Sequence, residues 1–190
     1  MTPRRFQFKK LWILLPIIGI LAGLYLLFLV NAPALLAPKP VADSHLAELI
    51  PENTSPTEPR VYIPRLNLNL EFSDSPSALD DGLWHRHSQR GNPEDGGNFI
   101  LAGHRLQLAP TPHETVRKSP LYHVDQMKRG DHIYVDFQGK RYIYEVTATY
   151  TVKPQQIEIE APSTQPKMTL YTCTINGESD GRDVIEARQT

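Results

Sequence analysis

The sequence predicts a mainly β domain, a barrel or sandwich of about eight short strands with one or two short helices, behind a single membrane helix at the N-terminus. Three observations carry this prediction. An uncharged apolar run lies near the start, and a proline-rich stretch follows it. From Arg60 onward come short runs rich in Val, Ile, Tyr and Thr, bounded by Gly, Pro and Asn.

Residues 11–30, "LWILLPIIGILAGLYLLFLV", contain no charged side chain, and about twenty helical residues cross a hydrocarbon core of roughly 30 Å. Pro16 falls in the first third of the run, and spans tolerate such breakers because the freed backbone groups find local partners. The flank, residues 1–10, carries Arg4, Arg5, Lys9 and Lys10 and no acid, whereas residues 31–60 hold only Lys39 and Arg60. That bias predicts a cytoplasmic N-terminus and an extracellular remainder at the cell membrane. A cleaved signal peptide is the alternative, because "APA" (32–34) has the form of a cleavage site, although the apolar run exceeds the usual signal core of about 7–15 residues.

Residues 31–59 contain Pro33, Pro38, Pro40, Pro51, Pro56 and Pro59 and predict a semi-stiff extracellular linker that holds the domain off the membrane. Within it "SHLAELI" (44–50) predicts a helical turn or two capped by Ser44. Beyond the flank the chain has 16 Lys and Arg against 21 Asp and Glu, a net of −5, and no basic patch for nucleic acid is visible. Residues 60–190 suffice for one domain with its own core.

The strand-like runs are "RVYI" (60–63), "LNLNLEF" (66–72), "NFILAGH" (98–104), "HIYVDF" (132–137), "RYIYEVTATYTV" (141–152), "QIEIE" (156–160), "MTLYTC" (168–173) and "DVIEA" (183–187). "FQGKR" (137–141) reads as the turn of a hairpin. One helix is predicted from Ser119 as N-cap and Pro120 at the first helical position, with Leu121, Val124 and Met127 on one side and Gly130 as the stop.

Cys173 is the only cysteine. Strand alternation sets Met168, Leu170 and Thr172 on one face and Thr169, Tyr171 and Cys173 on the other. With Met168 and Leu170 facing the core, the thiol points away from it, at a strand end followed by the polar "TINGESDGR". A buried inert thiol, an intermolecular disulfide and a reactive thiol all remain open. Thiol chemistry needs an acid–base partner and a cation near the developing oxyanion. Of the seven histidines, His45, His123 and His132 read as surface, and "HRH" (85–87) offers two imidazoles without a third metal ligand. His104 stands apart because an apolar strand runs through Ala-Gly directly into it and Arg105.

"TLYTC" (169–173), "AGHR" (102–105) and an arginine shortly after the cysteine together resemble the sortases, the membrane-anchored cysteine transpeptidases of bacterial surfaces. "YIPRLNLNLEF", "GLWH" and "PLYHVDQMKRGDHIYV" support the resemblance, which covers roughly residues 60–188. It implies a closed β-barrel, with Cys173 as nucleophile, His104 as general acid and base, and Arg182, nine positions after the cysteine, as oxyanion stabiliser. Arg188, fifteen positions on, is the competing arginine, and Thr172 resembles a residue that orients substrate. The implied reaction cleaves a C-terminal sorting signal after Thr, forms a thioacyl enzyme and transfers the acyl group to an amine, anchoring surface proteins to the cell wall. The partners are then proteins bearing that signal and an amine from a peptidoglycan precursor or a pilin lysine.

A pilin-polymerising sortase and a cysteine hydrolase on the same barrel are the alternatives, and a non-catalytic binding module is a third. No second span follows the domain and no aromatic lid motif precedes it, which points to a housekeeping-type class. Glu94, Asp95 and Glu158 are only loose counterparts of one subfamily's calcium ligands, so no metal and no cofactor is expected. The resemblance assigns substrate specificity to residues 153–167.

Overall fold

The computed structural model describes residues 8–41 and 58–190. Helix α1 runs Phe8–Leu36, so residues 31–36, expected to begin the linker, continue the helix. Ala34, Leu35 and Leu36 are strong helix formers that favour this extension. The helical turn expected at 44–50 lies outside the described residues.

Nine strands follow: β1 (Arg60–Ile63), β2 (Leu68–Ser73), β3 (Leu83–Arg86), β4 (Gly91–Asn92), β5 (Gly96–Ala102), β6 (His132–Phe137), β7 (Lys140–Val152), β8 (Lys167–Thr174) and β9 (Gly177–Gln189). Their order is β3-β2-β1-β6-β7-β9-β8-β5-β4, and β3 also pairs with β5. That last pairing, Trp84 opposite Ala102 and Arg86 opposite Ile100, closes eight strands into a ring and leaves the two-residue β4 as an appendage. Closure removes the open edges that a sheet of this size would otherwise expose.

Alternating residues fill the interior. Phe99, Leu101, Met168, Leu170, Ile133 and Val135 are fully buried. The Phe99 ring packs edge-on against Phe72 at 5.3 Å and His85 at 4.8 Å between centroids. Truncating such a ring costs about 3–5 kcal/mol, because lost transfer energy and a residual cavity add. The β6–β7 hairpin turns on Gln138 and Gly139, with φ of 49° and 77°. Two consecutive left-handed residues fit the twist of the flanking strands.

Two sequence expectations are corrected. The helix expected from Ser119 is absent, and α2 lies earlier, at Pro112–Arg117. Thr111 Oγ1 accepts from Glu114 N at 3.2 Å and donates to the Glu114 carboxylate at 2.9 Å, a Thr-x-x-Glu cap written in the sequence. Leu121, Val124 and Met127 are buried as expected, but through turns and a 3-10 segment, Val124–Gln126. Spacings of three without a residue four apart suit that tighter helix. The expected strand 156–160 is also a 3-10 turn, Ile157–Glu160. Both edges of β8 are already taken by β5 and β9, so no ladder remains for it.

Candidate active site

Strand β8 distributes its side chains as the alternation predicts. Met168, Leu170 and Thr172 face the core, with Thr172 only 1% exposed. On the other face, Tyr171 joins Ile100, Ala102 and Val184 in a second apolar cluster capped by Ile159 from the β7–β8 loop. Cys173 lies on this outer face and is partly exposed, a free thiol.

Arg182 is the direct partner of Cys173 in the β8–β9 ladder. Antiparallel partners share a face, with Cβ atoms roughly 5 Å apart. The same register puts Arg188 opposite Lys167, at the far end of β8. The competing arginine is therefore separated from the thiol by most of a strand. Arg182 Nη1 donates to the carbonyls of Glu178 at 2.7 Å and Gly181 at 3.0 Å.

His104 comes from the other neighbour of β8. Strands β5 and β8 are parallel, with Ala102 opposite Tyr171, and Gly103 N donates to Tyr171 O at 3.2 Å. His104 is the second residue after the last ladder partner, Ala102, and leaves β5 beside the strand that carries Cys173. A Cβ on Gly103 would lie 2.7 Å from Leu83 Cδ2 and 2.8 Å from Leu121 Cδ1, so any larger residue here must displace the ends of two buried leucines.

The electrostatics of the pair oppose charge on both members. Burial pushes the Cys173 thiol up, and Arg182 only partly offsets it while Glu178 adds to it. Burial pulls the His104 imidazole down; Asp80 opposes this and Lys118 adds to it. At neutral pH the resting pair is thus thiol and neutral imidazole.

Beneath these three residues lies a second tier made of their chain neighbours. Arg105, 8% exposed, donates to Asp183 Oδ2 at 2.5 Å and to Asp125 Oδ1 at 2.7 Å. Asp183 is the ladder partner of Thr172 and also accepts from Thr151 Oγ1 at 2.7 Å. Thr172 Oγ1 and Arg105 Nε are buried without a hydrogen-bond partner among the described residues. Sequence reading placed Arg105 only as part of a motif. Its brevity of reach to two carboxylates far along the chain had no local signal.

The β7–β8 loop is pinned over the outer face. Asn98, fully buried in β5, donates to the carbonyls of Ile159 and Ala161 at 3.3 and 2.9 Å and accepts from Thr169 Oγ1 at 2.8 Å. A polar residue inside the apolar "GGNFILA" was the available clue, because buried amides need partners. Glu160 accepts from Tyr171 OH at 2.5 Å, lies 3.2 Å from Arg86 Nε and meets His87 Nε2 at 3.0 Å. The two imidazoles of "HRH" part company: His85 is buried with Nε2 2.9 Å from Gly91 O, while His87, at φ 51°, turns to Glu160. Glu94 pairs with Lys140 and Asp95 with Asn92, and no cluster of three potential metal ligands occurs among the described residues.

The family model described as a Sortase domain matches residues 61–190. The chain is 28% identical over 128 residues to sortase A of Bacillus anthracis, a match spanning 66% of this chain and 56% of that protein. Among solved structures, sortase A from Corynebacterium diphtheriae is similar with a TM-score of 0.58 at 23% identity, over 84% of this chain and 74% of that one. A Clostridium perfringens sortase D5 transpeptidase is similar with a TM-score of 0.57 at 17% identity, over 79% and 89% of the two chains.

Proposed function

The chain belongs to the sortase family, and we propose that it is a membrane-anchored cysteine transpeptidase acting through Cys173, His104 and Arg182. The observation that supports the reading is the register: Cys173 opposite Arg182 on one side of β8, and β5, the strand that leads into His104, paired with its other side.

In the proposed reaction Cys173 Sγ attacks the Thr carbonyl carbon of a C-terminal sorting signal as its proton passes to the His104 ring. The carbonyl oxygen gains negative charge. Arg182 has donors besides the Nη1 it gives to Glu178 and Gly181, and its permanent charge stabilises that oxyanion. The C–N bond then breaks as the His104 imidazolium protonates the leaving amine, and a thioester remains on Cys173. An incoming amine attacks the thioester, gives its proton to His104 and releases the thiol. Splitting the transfer through a covalent acyl enzyme lets an amine compete with water. Thr172 faces the interior one residue before the nucleophile, so it orients the acyl group only through the backbone that carries Cys173. The pinned β7–β8 loop forms the wall that selects the sorting motif. The basic flank stays cytoplasmic and the barrel acts outside, on surface proteins bearing the signal.

The test is mass spectrometry of the detergent-solubilised chain incubated with sorting-signal peptides, alone and with either a cell-wall peptide amine or a pilin-type lysine peptide. A Cys173-dependent mass gain that moves to one of the amines is expected, and the preferred amine assigns the class. Cleavage indifferent to both amines would make the protein a hydrolase. No adduct from any peptide would overturn the reading.

A further inference from the structure

Helix α1 does not stand clear of the barrel. Leu29 and Ala32, 6% and 0% exposed, and Pro33 are buried where α1 packs on α2. Tyr25 OH donates to Pro110 O at 2.6 Å. After the helix, Val41 N donates to Arg65 O at 2.8 Å and Arg65 Nη1 returns a bond to Val41 O at 2.8 Å. The chain is thus tied to the barrel at Val41, and residues 42–57 join two points already on the domain. Their length therefore does not set the height of the barrel above the membrane.

The height follows from Tyr25 instead. With Lys10 at the cytoplasmic boundary, a span of about 30 Å at 1.5 Å per residue ends near Val30. Tyr25, five residues earlier, lies about 7 Å inside the outer boundary of the apolar layer. The Pro110 carbonyl that it binds must lie close to the same depth.

The loop that carries Pro110 is suited to leave water. Residues 106–112, "LQLAPTP", contain no charge, and Leu108 is 49% exposed. Five of its backbone groups have partners within the protein. Gln107 N donates to Ser119 Oγ, Ala109 N donates to Thr115 Oγ1, and Ala109 O accepts from Thr115 Oγ1, at 3.0, 3.1 and 3.3 Å. Thr115 N donates to Thr111 O at 2.9 Å, Pro110 O is taken by Tyr25, and Pro110 and Pro112 have no N–H to satisfy. Each group paired in this way is one fewer open donor or acceptor to carry into lipid. The nearby cations do not offer an electrostatic alternative, because Arg117 pairs with Asp81 and Lys118 with Asp80.

From these facts we infer that residues 106–112 form a second membrane contact, an apolar loop seated in the outer leaflet beside α1. The occupant is the acyl and glycerol region of the phospholipid, not its charged headgroup. The loop begins two residues after His104, so it fixes the active-site end of the barrel at the bilayer surface. This inference rests on α1 spanning the membrane and is independent of the transpeptidase chemistry.

The experiment uses the full chain with Cys173→Ala, reconstituted in phosphatidylcholine vesicles. Single cysteines labelled with one environment-sensitive dye are placed by Leu21→Cys in the span, Leu108→Cys in the loop and Gln138→Cys at the β6–β7 turn. Spin-labelled lipids then report depth. Expected are strong quenching at 21 by deep spin labels, quenching at 108 by shallow ones several-fold above that at 138, and no change at 108 when anionic lipid or salt is added. Tyr25→Phe is expected to reduce the quenching at 108. An unquenched 108 beside a quenched 21 overturns the docking. An unquenched 21 removes the span on which it rests, and quenching at 108 that needs anionic lipid overturns the apolar mode.

Discussion

The site has two tiers, and each residue of one is the chain neighbour of a residue in the other. Cys173 and Arg182 lie on the outer face with His104 just beyond β5, whereas Thr172 and Asp183 lie on the inner one, where Arg105 pairs with Asp183. In the outer tier, neither His104 nor Cys173 figures among the electrostatic neighbours that perturb the other. The inner tier is held by two Arg105 ion pairs and the Thr151 bond to Asp183. A strand alternates its side chains between faces, so one backbone segment can present a reactive group outward and its own fixation inward. The proposed chemistry and the rigidity are therefore divided between adjacent residues.

The sharpest test of that division is Cys173→Ala. Acyl transfer should fall by at least about 10³-fold, the scale for loss of a covalent nucleophile, while the melting temperature stays within a degree or two. Unfolding of this variant in a thermal scan would show that the outer tier also carries the fold.

Arg182→Gln comes next. Loss of an oxyanion donor costs roughly 10²–10³ in kcat, with little change in stability because the side chain bonds only to its own hairpin. Steady-state kinetics beside urea unfolding separates the two effects.

Arg105→Gln should reverse the pattern. It leaves Asp183 partly buried without its cation, and breaking such a pair destabilises by about 3 kcal/mol or somewhat less, since Asp125 is half exposed. Stability equal to that of the parent in urea titration would break the comparison.

The pH profile is a subtler reading. Burial disfavours the charged form of each group, so the imidazole titrates below and the thiol above its ordinary value. The plot of kcat/KM against pH should be a bell with its acid limb below the usual histidine range and its alkaline limb above the usual cysteine range. Arg182 lowers the thiol value and Asp80 raises the imidazole value. Arg182→Gln should therefore move the alkaline limb further up, and Asp80→Asn should move the acid limb further down.

The smallest effect is expected from Glu160→Gln. It weakens the contacts to Arg86 and His87 that hold the β7–β8 loop and should raise KM a few-fold with kcat nearly unchanged. A fall confined to kcat would place Glu160 with the reacting groups instead of the loop.

Much of the site was legible before any fold was known. Cys173 at the end of an alternating strand, away from Met168 and Leu170, follows from a period of two. His104 and Arg182 entered by motif and distance along the chain, and the ladder sets Arg182 opposite the thiol. The choice of Arg182 over Arg188 lacked a local basis. It depends on register, which sets Arg188 opposite Lys167.

The sequence by itself determined the apolar helix, the strands at 60–63 and 132–137, the left-handed turn at Gln138 and Gly139, and the face on which Cys173 stands. These rest on hydropathy, side-chain alternation and turn chemistry, all read within a few residues. Only the tertiary structure decided that β3 pairs with β5 to close the ring and that 157–160 caps a face instead of joining a sheet. It also decided that His85 and His87 serve different partners, and that α1 packs on α2. Those outcomes depend on which edges and faces remain once the other strands have paired. That competition is settled across the whole chain, where no local pattern records it.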